Sequence, residues 1–235
     1  MLIAVISNRN KTGKTTVVSC LGHALANRKP PNKTYEPLAY DGDFSSQLRK
    51  WYKAAKADED FSEFPFDVRL AATTQFEDIL EEHPHDGKVG LVDTAHLEDS
   101  RGYAEAVMEH ADAVILMTEP NLNELERLEA LPLADAMAKV DANRAAAGRP
   151  PIRRLVMFFR VPTSVNAQDV KTTREYITDA ANADEWGGWQ VLTTKMTENR
   201  KLARLSETNP PSLDAMKSSG MDQLVTELEN LGVLV

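Results

Sequence analysis

The chain has 235 residues, a single cysteine and a formal net charge of −9. One thiol excludes a disulfide framework, the negative charge excludes a surface that is basic throughout, and no apolar run reaches the roughly 20 residues that cross a bilayer. A composition of 42% hydrophobic and 27% charged residues is that of a globular protein, and the expectation is one domain over 1–235 with a core large enough to need no staples. The apolar start at 2–6 is too short for a signal peptide and lacks a basic flank, which predicts a cytoplasmic protein.

In chain order, "LIAVIS" (2–7) is a continuous apolar run of the kind buried on both faces of a sheet. A helix is predicted from Thr15 to Arg28, ending before Pro30-Pro31. "PLAYDGD" (37–43) reads as a second strand running into acids, and Ser45–Lys56 as a helix. "FDVRLA" (66–71) is a third strand, with Thr73 or Thr74 capping a helix through Glu82. "KVGLVDTA" (88–95) and "DAVILMTEP" (112–120) are further strands. Asn121–Ala147 reads as a long helix interrupted near Pro132. A strand at 153–161, a helix at 166–183, a strand at 189–194 and a helix from Met221 to Leu231 complete the chain. Strands separated by helices predict an α/β fold: a mostly parallel, twisted sheet with helices on both faces.

The loop after the first strand, "SNRNKTGKTT" (7–16), ends in Gly-Lys-Thr-Thr before a helix, the layout of a P-loop NTPase. Backbone N–H groups and the helix dipole there favour phosphate. Residues Asn10, Lys11, Thr12 and Gly13 would form the cradle. Lys14 would reach the β- and γ-phosphates, Thr15 would coordinate Mg²⁺, and Thr16 would lie near the α-phosphate. Gly13 permits close approach of backbone to phosphate. Asn10 accepts positive φ better than most residues, whereas Lys11 stands where glycine is usual. Downstream, "YDGDF" supplies Asp41 and Asp43, and "LVDTAH" supplies Asp93. Strand ends of a parallel sheet converge on the ligand crevice. Asp93 would therefore hold Mg²⁺, while Asp43, itself near the metal, or Asp41 with it would orient the attacking water.

These three motifs, in this order and at this spacing, resemble the ParA/MinD superfamily of deviant Walker ATPases, closest to the short ParA-like plasmid partition ATPases without an N-terminal helix-turn-helix. The resemblance extends to "DAVILMTEPN", "VMFFRV" and "VLTTKMTENRKLARLSETNPPSLD". Laid on the family pattern Lys-Gly-Gly-x-Gly-Lys-Thr, Arg9 falls at the signature lysine, and Asn10 and Lys11 fall at the two glycines. The resemblance implies an ATPase that dimerises around ATP, with Arg9, or Lys11 in its place, reaching the partner subunit's phosphates. It also implies that Arg160 lies near the adenine and that Pro120 lines the other side of the base. The cofactors implied are ATP and Mg²⁺.

A basic cluster in "KMTENRKLARLSE" (195–207) contains Lys195, Arg200, Lys201 and Arg204, with Arg200 and Arg204 four apart on one helical face. Relatives bind non-specific DNA through basic residues near the C-terminal part, so these four are the expected DNA contacts, and Arg153, Arg154, Lys171 and Arg174 would extend the patch. The last helix has no basic amphipathic face, so no membrane anchor is expected. The implied role is ATP-driven partition or positioning of plasmid DNA or another large cargo, nucleoid-associated, with an adaptor protein as partner. Two rivals are a P-loop kinase or synthetase of the dethiobiotin-synthetase type and a nucleotide-gated scaffold without turnover.

Overall fold

The computed structural model describes residues 1–9, 12–28, 34–57, 64–73, 75–130, 133–161, 168–183, 186–197, 211 and 213–234. The first strand, β1 (Leu2–Ser7), is buried at every position. Its alternate residues serve two separate cores: Leu2, Ala4 and Ile6 face one layer of helices and Ile3 and Val5 the other. That two-sided burial explains the unbroken apolar run, because a strand between two helix layers has no solvent face to make polar. The same holds for β4 (Val89–Thr94) and β5 (Ala113–Thr118), buried throughout. Each Val, Leu or Ile placed there contributes about 1.5–3 kcal/mol of burial.

The other strands are β2 (Pro37–Gly42), β3 (Asp67–Leu70), β6 (Arg153–Val161) and β7 (Gln190–Thr197). They form one seven-stranded sheet in the order β3-β2-β4-β1-β5-β6-β7. Every recorded pairing is parallel, so the sheet exceeds the mostly parallel expectation. The edges differ in character: β3 buries only Val68 of its four residues, and β7 alternates buried and exposed positions. An edge strand covered on one face has the period of two that the central strands lack.

The helices are α1 (Lys14–Ala26), α2 (Gln47–Ala57), α3 (Phe76–Glu82), α4 (Leu97–His110), α5 (Leu122–Ala130), α6 (Leu133–Ala146), α7 (Gln168–Asn182), α8 (Leu213–Lys217) and α9 (Met221–Asn230). The predicted 121–147 helix, read as interrupted or kinked near Pro132, is two helices. The β7 strand runs three residues beyond the predicted 189–194, and α8 had no sequence signal. The cap before α3 departs from expectation. Thr73 Oγ1 accepts the N–H of Gln75 at 3.2 Å, and Gln75 itself stands at the N-cap without a side-chain cap bond. Thr74 lies outside the described residues.

Helix α1 is buried along most of its length. It packs on the sheet and is covered by α8 and α9. The loop that joins it to β1 lies at the C-terminal crest of the sheet. On either side of β1 stand β4 and β5. The crest of β4, β1 and β5 is thus the place where loops from three central strands meet.

Candidate functional site

The loop between β1 and α1 is stitched by hydroxyl groups. Ser7 Oγ and Thr12 Oγ1 both donate to the Arg9 carbonyl, at 2.8 and 3.2 Å. Lys14 Nζ donates to Ser7 Oγ at 2.9 Å. Gly13 precedes α1 with φ +85°, the left-handed region. A Cβ there would lie 2.3 Å from the Phe159 ring on β6, so glycine is required by both backbone and packing. Phe159 carried no sequence signal, since it is one aromatic within the apolar run of β6. Asn10 and Lys11 lie outside the described residues, whereas Thr12 is buried and Thr15 and Thr16 open α1.

Lys14 is 5% exposed. Burial lowers its pKa, and the charges of Asp93 and Asp43 oppose that shift. Asp93 ends β4 next to β1, in register with Val5. It is fully buried, and among the described residues neither carboxylate oxygen accepts a hydrogen bond. Burial first, then the neighbouring Asp41, raises its pKa, and Lys14 and Thr15 pull it back only partly. Asp41 is equally buried but fully used: Oδ2 accepts the Arg49 N–H at 2.7 Å and Oδ1 the Asp43 N–H at 3.3 Å. Burial raises its pKa too, and those two N–H groups oppose the shift. Asp43 Oδ1 accepts the N–H of Ser45 at 2.8 Å and so closes the turn into α2. Of the three aspartates, Asp93 is the one whose oxygens are both left unbonded.

Among the described residues, six of the ten unpartnered buried side-chain polar atoms lie around this crest. Besides both Asp93 oxygens, they include Asn8 Nδ2 and Oδ1, Thr118 Oγ1 and Glu124 Oε1. Asn8 and Thr118 come directly after Ser7 and Met117, which pair across β1 and β5. Orphaned buried polar groups each cost about 1–3 kcal/mol, and six such atoms on four residues at one crest describe a place built to receive polar groups. Neither Asn8, Thr118 nor Glu124 stood out in the sequence. A polar residue at a strand end and one acid among several in "NELERLEA" match no motif.

Arg9 turns to its own subunit. Its Nε donates to Glu124 Oε2 at 2.9 Å, and its guanidinium lies 3.4 Å from Glu119 Oε2. Glu119 also meets Arg160, at 3.3 Å through Oε1. Arg160 sits near the end of β6 with φ +50°, a strained conformation for a side chain of its size. Pro120 is buried beside Glu119, before the N-terminus of α5.

The four basic residues read as an extension of the C-terminal patch are engaged elsewhere. Arg154 pairs with Asp141, Arg153 Nη1 donates to the Leu231 carbonyl, Lys171 pairs with Glu175, and Arg174 lies over the Phe158 ring. Of the four, Arg154 is held in a partly buried ion pair, whereas Lys171 and its partner stay exposed and, among the described residues, Arg153 and Arg174 meet only uncharged groups. Lys195 is exposed on β7. Arg200, Lys201 and Arg204 lie outside the described residues. An open depression of about 470 Å³, lined by Arg28, Thr193, Thr226 and Glu227 among others, lies between β7 and α9. Its Glu227 carboxylate is already taken by Thr193 and Thr194. Among the described residues no helix is long and apolar enough to cross a membrane.

No family model and no curated protein sequence matches the chain. Solved structures do. An ATP complex of a McdA variant from Cyanothece aligns over 99% of this chain and 96% of its own, with TM-score 0.62 and 14% identity. The cell division ATPase MinD of Pyrococcus furiosus aligns over 98% of each chain, with TM-score 0.58 and 18% identity. The pNOB8 ParA bound to nonspecific DNA aligns over 97% and 98%, with TM-score 0.59 and 13% identity. The fold is that of the ParA/MinD superfamily. At these identities the fold is the property shared.

Proposed function

We propose that this protein is a partition or positioning ATPase of the ParA/MinD type, forming one domain over 1–235. The observation that carries the reading is the crest of β4, β1 and β5. There a left-handed Gly13, a buried Lys14 and the unbonded Asp93 carboxylate surround one loop. A buried ammonium and an orphaned carboxylate fit a magnesium-bound triphosphate: the phosphates satisfy Lys14, and the ion satisfies Asp93. In this reading Gly13, Lys14, Thr15 and Thr16, with Asn10, Lys11 and Thr12, cradle ATP. Thr15 and Asp93, with Asp43 nearby, hold Mg²⁺. The ion would neutralise charge on the phosphates and needs only one protein carboxylate, because it retains water and phosphate oxygens as ligands.

Arg160 and Pro120 would flank the adenine. Two subunits would close around ATP with Arg9 reaching the partner's phosphates, and Asp43 or Asp41 would orient water for a slow hydrolysis. Lys195, with Arg200, Lys201 and Arg204, would hold DNA phosphates in the nucleoid of a cytoplasmic protein. An adaptor bound to plasmid DNA or another cargo would stimulate turnover. Calorimetry of the full chain with Mg²⁺ and ATP tests the core of this. Saturable binding that Lys14→Ala removes supports it, and the absence of heat with the wild-type chain overturns it.

A second reading has its own observation. Both Asp41 oxygens and one of Asp43 are committed to backbone N–H groups, which favours a nucleotide-gated scaffold in which little is left to activate water. Phosphate release in the presence of DNA decides between the two: sustained turnover selects the ATPase, and binding without turnover selects the scaffold.

A further inference from the structure

The Arg9 side chain is held by less than its backbone. Its carbonyl is pinned by the Ser7 and Thr12 hydroxyls, whereas its guanidinium, 32% exposed, rests among the described residues on two carboxylates, one just before α5 and one in its first turn. The two ends are therefore separable: the guanidinium can change partners while the loop stays in place. Glu124 is the stronger partner. Its side chain is 1% exposed, its Oε2 accepts from Arg9 Nε, and its Oε1 has no partner among the described residues. The carboxylate lies in the first turn of α5, where the helix dipole favours an anion, and its own N–H is capped by Asn121 Oδ1. Glu119, 14% exposed, adds a second contact and shares its other oxygen with Arg160.

We propose that Glu124, seconded by Glu119, is a positioning residue that keeps the Arg9 guanidinium within its own subunit until a polyphosphate, in its own loop or brought by a second copy of the chain, draws it away. Breaking the pair leaves a buried carboxylate without a cation, which is strongly unfavourable. The cation therefore leaves only when a more highly charged anion is in place, and the subunit resists pairing while empty. The part concerning a second copy rests on the reading of the protein as an ATPase that pairs around its nucleotide.

The test compares wild type, Glu124→Gln, Arg9→Ala and the double variant, as full-length chains, by sedimentation velocity across a titration of a non-hydrolysable ATP analogue with Mg²⁺. Glu124→Gln keeps the shape and removes the charge. It lowers the analogue concentration for half-maximal dimer about tenfold, within the usual range of coupling between sites, and the gain disappears when Arg9 is also alanine. A midpoint unchanged by Glu124→Gln, or one that shifts equally without Arg9, overturns the proposal. If no variant dimerises, it is the nucleotide-driven pairing that fails, and thermal unfolding of the same four proteins without ligand judges the contact itself. Arg9→Ala melts several degrees lower because Glu124 is stranded, Arg9→Lys recovers part of the loss, and the double variant recovers most of it. Strictly additive losses overturn the proposal.

Discussion

Asp41 and Asp93 stand opposite one another on neighbouring strands β2 and β4, in direct register, and are equally buried. Asp41 receives two backbone N–H groups and Asp93 receives none. The same residue type at the same depth is thus structural in one strand and unspent in the next. The difference lies in the course of the chain beyond each strand. After β2 it folds back over Asp41 as it enters α2, whereas after β4 it leads into α4, whose Glu98 N–H goes to the Asn8 carbonyl instead.

An unspent buried carboxylate destabilises the ligand-free protein. Asp93→Asn should raise its melting temperature by about 2–4 °C, the effect of roughly 1 kcal/mol on a chain of this size. The same variant should lose the added stability that Mg²⁺ gives on top of nucleotide. Differential scanning fluorimetry with nucleotide alone and with nucleotide plus Mg²⁺ checks both. A variant that melts below wild type without ligand contradicts the account of Asp93.

The pH dependence comes from the raised pKa of Asp93 and Asp41, caused first by burial. A folded-state pKa above the unfolded value contributes stability that is complete below the unfolded pKa and is lost as pH rises through the folded one. The ligand-free protein should therefore lose stability progressively from about pH 4 upward through the raised pKa values, against the usual trend for paired carboxylates. Asp93→Asn should flatten that decline. Melting curves across pH, with and without Mg²⁺ and ATP, measure it.

Lys14→Ala should abolish nucleotide binding, since the ammonium supplies a buried cation aimed at the loop. Loss of at least about 100-fold in affinity is expected for a charged hydrogen bond to phosphate with its desolvated surroundings. Titration with a fluorescent ATP analogue reads this directly, and unchanged affinity would place the phosphates elsewhere.

Gly13→Ala meets two obstacles, a left-handed backbone and the Phe159 ring 2.3 Å from the new Cβ. A loss of about 2–4 kcal/mol is expected from strain and overpacking together. Adding Phe159→Ala relieves the collision but not the backbone, so the double variant should remain less stable than Phe159→Ala alone. Urea unfolding of the three proteins separates the two contributions.

Charge reversal at Lys195, Arg200, Lys201 and Arg204 should weaken ATP-dependent DNA binding at least about tenfold and flatten its salt dependence, as the loss of phosphate contacts requires. Reversal at Lys171 should change it little, because that charge is paired with Glu175. Fluorescence anisotropy at two salt concentrations distinguishes the outcomes. Equal losses from both sets would mean that only overall charge matters.

The layered α/β fold, the strand–loop–helix junction at Gly13-Lys14 and the aspartates at the ends of β2 and β4 were all legible in the chain. Each is a local signal: two-sided burial writes an unbroken apolar run, and the left-handed turn into α1 calls for Gly13 before Lys14. Tertiary structure decided everything that depends on partners distant in sequence. Pairing with Glu119 and Glu124, more than a hundred residues away, turned Arg9 inward. Asp141 paired with Arg154, and the backbone around α2 took Asp41 while leaving Asp93 without a backbone donor. Which residues become charged or hydrogen-bonding is fixed along the chain. Whether a given charge is neutralised depends on a few ångströms of separation in space, and that distance is set only when the sheet brings its strand ends together.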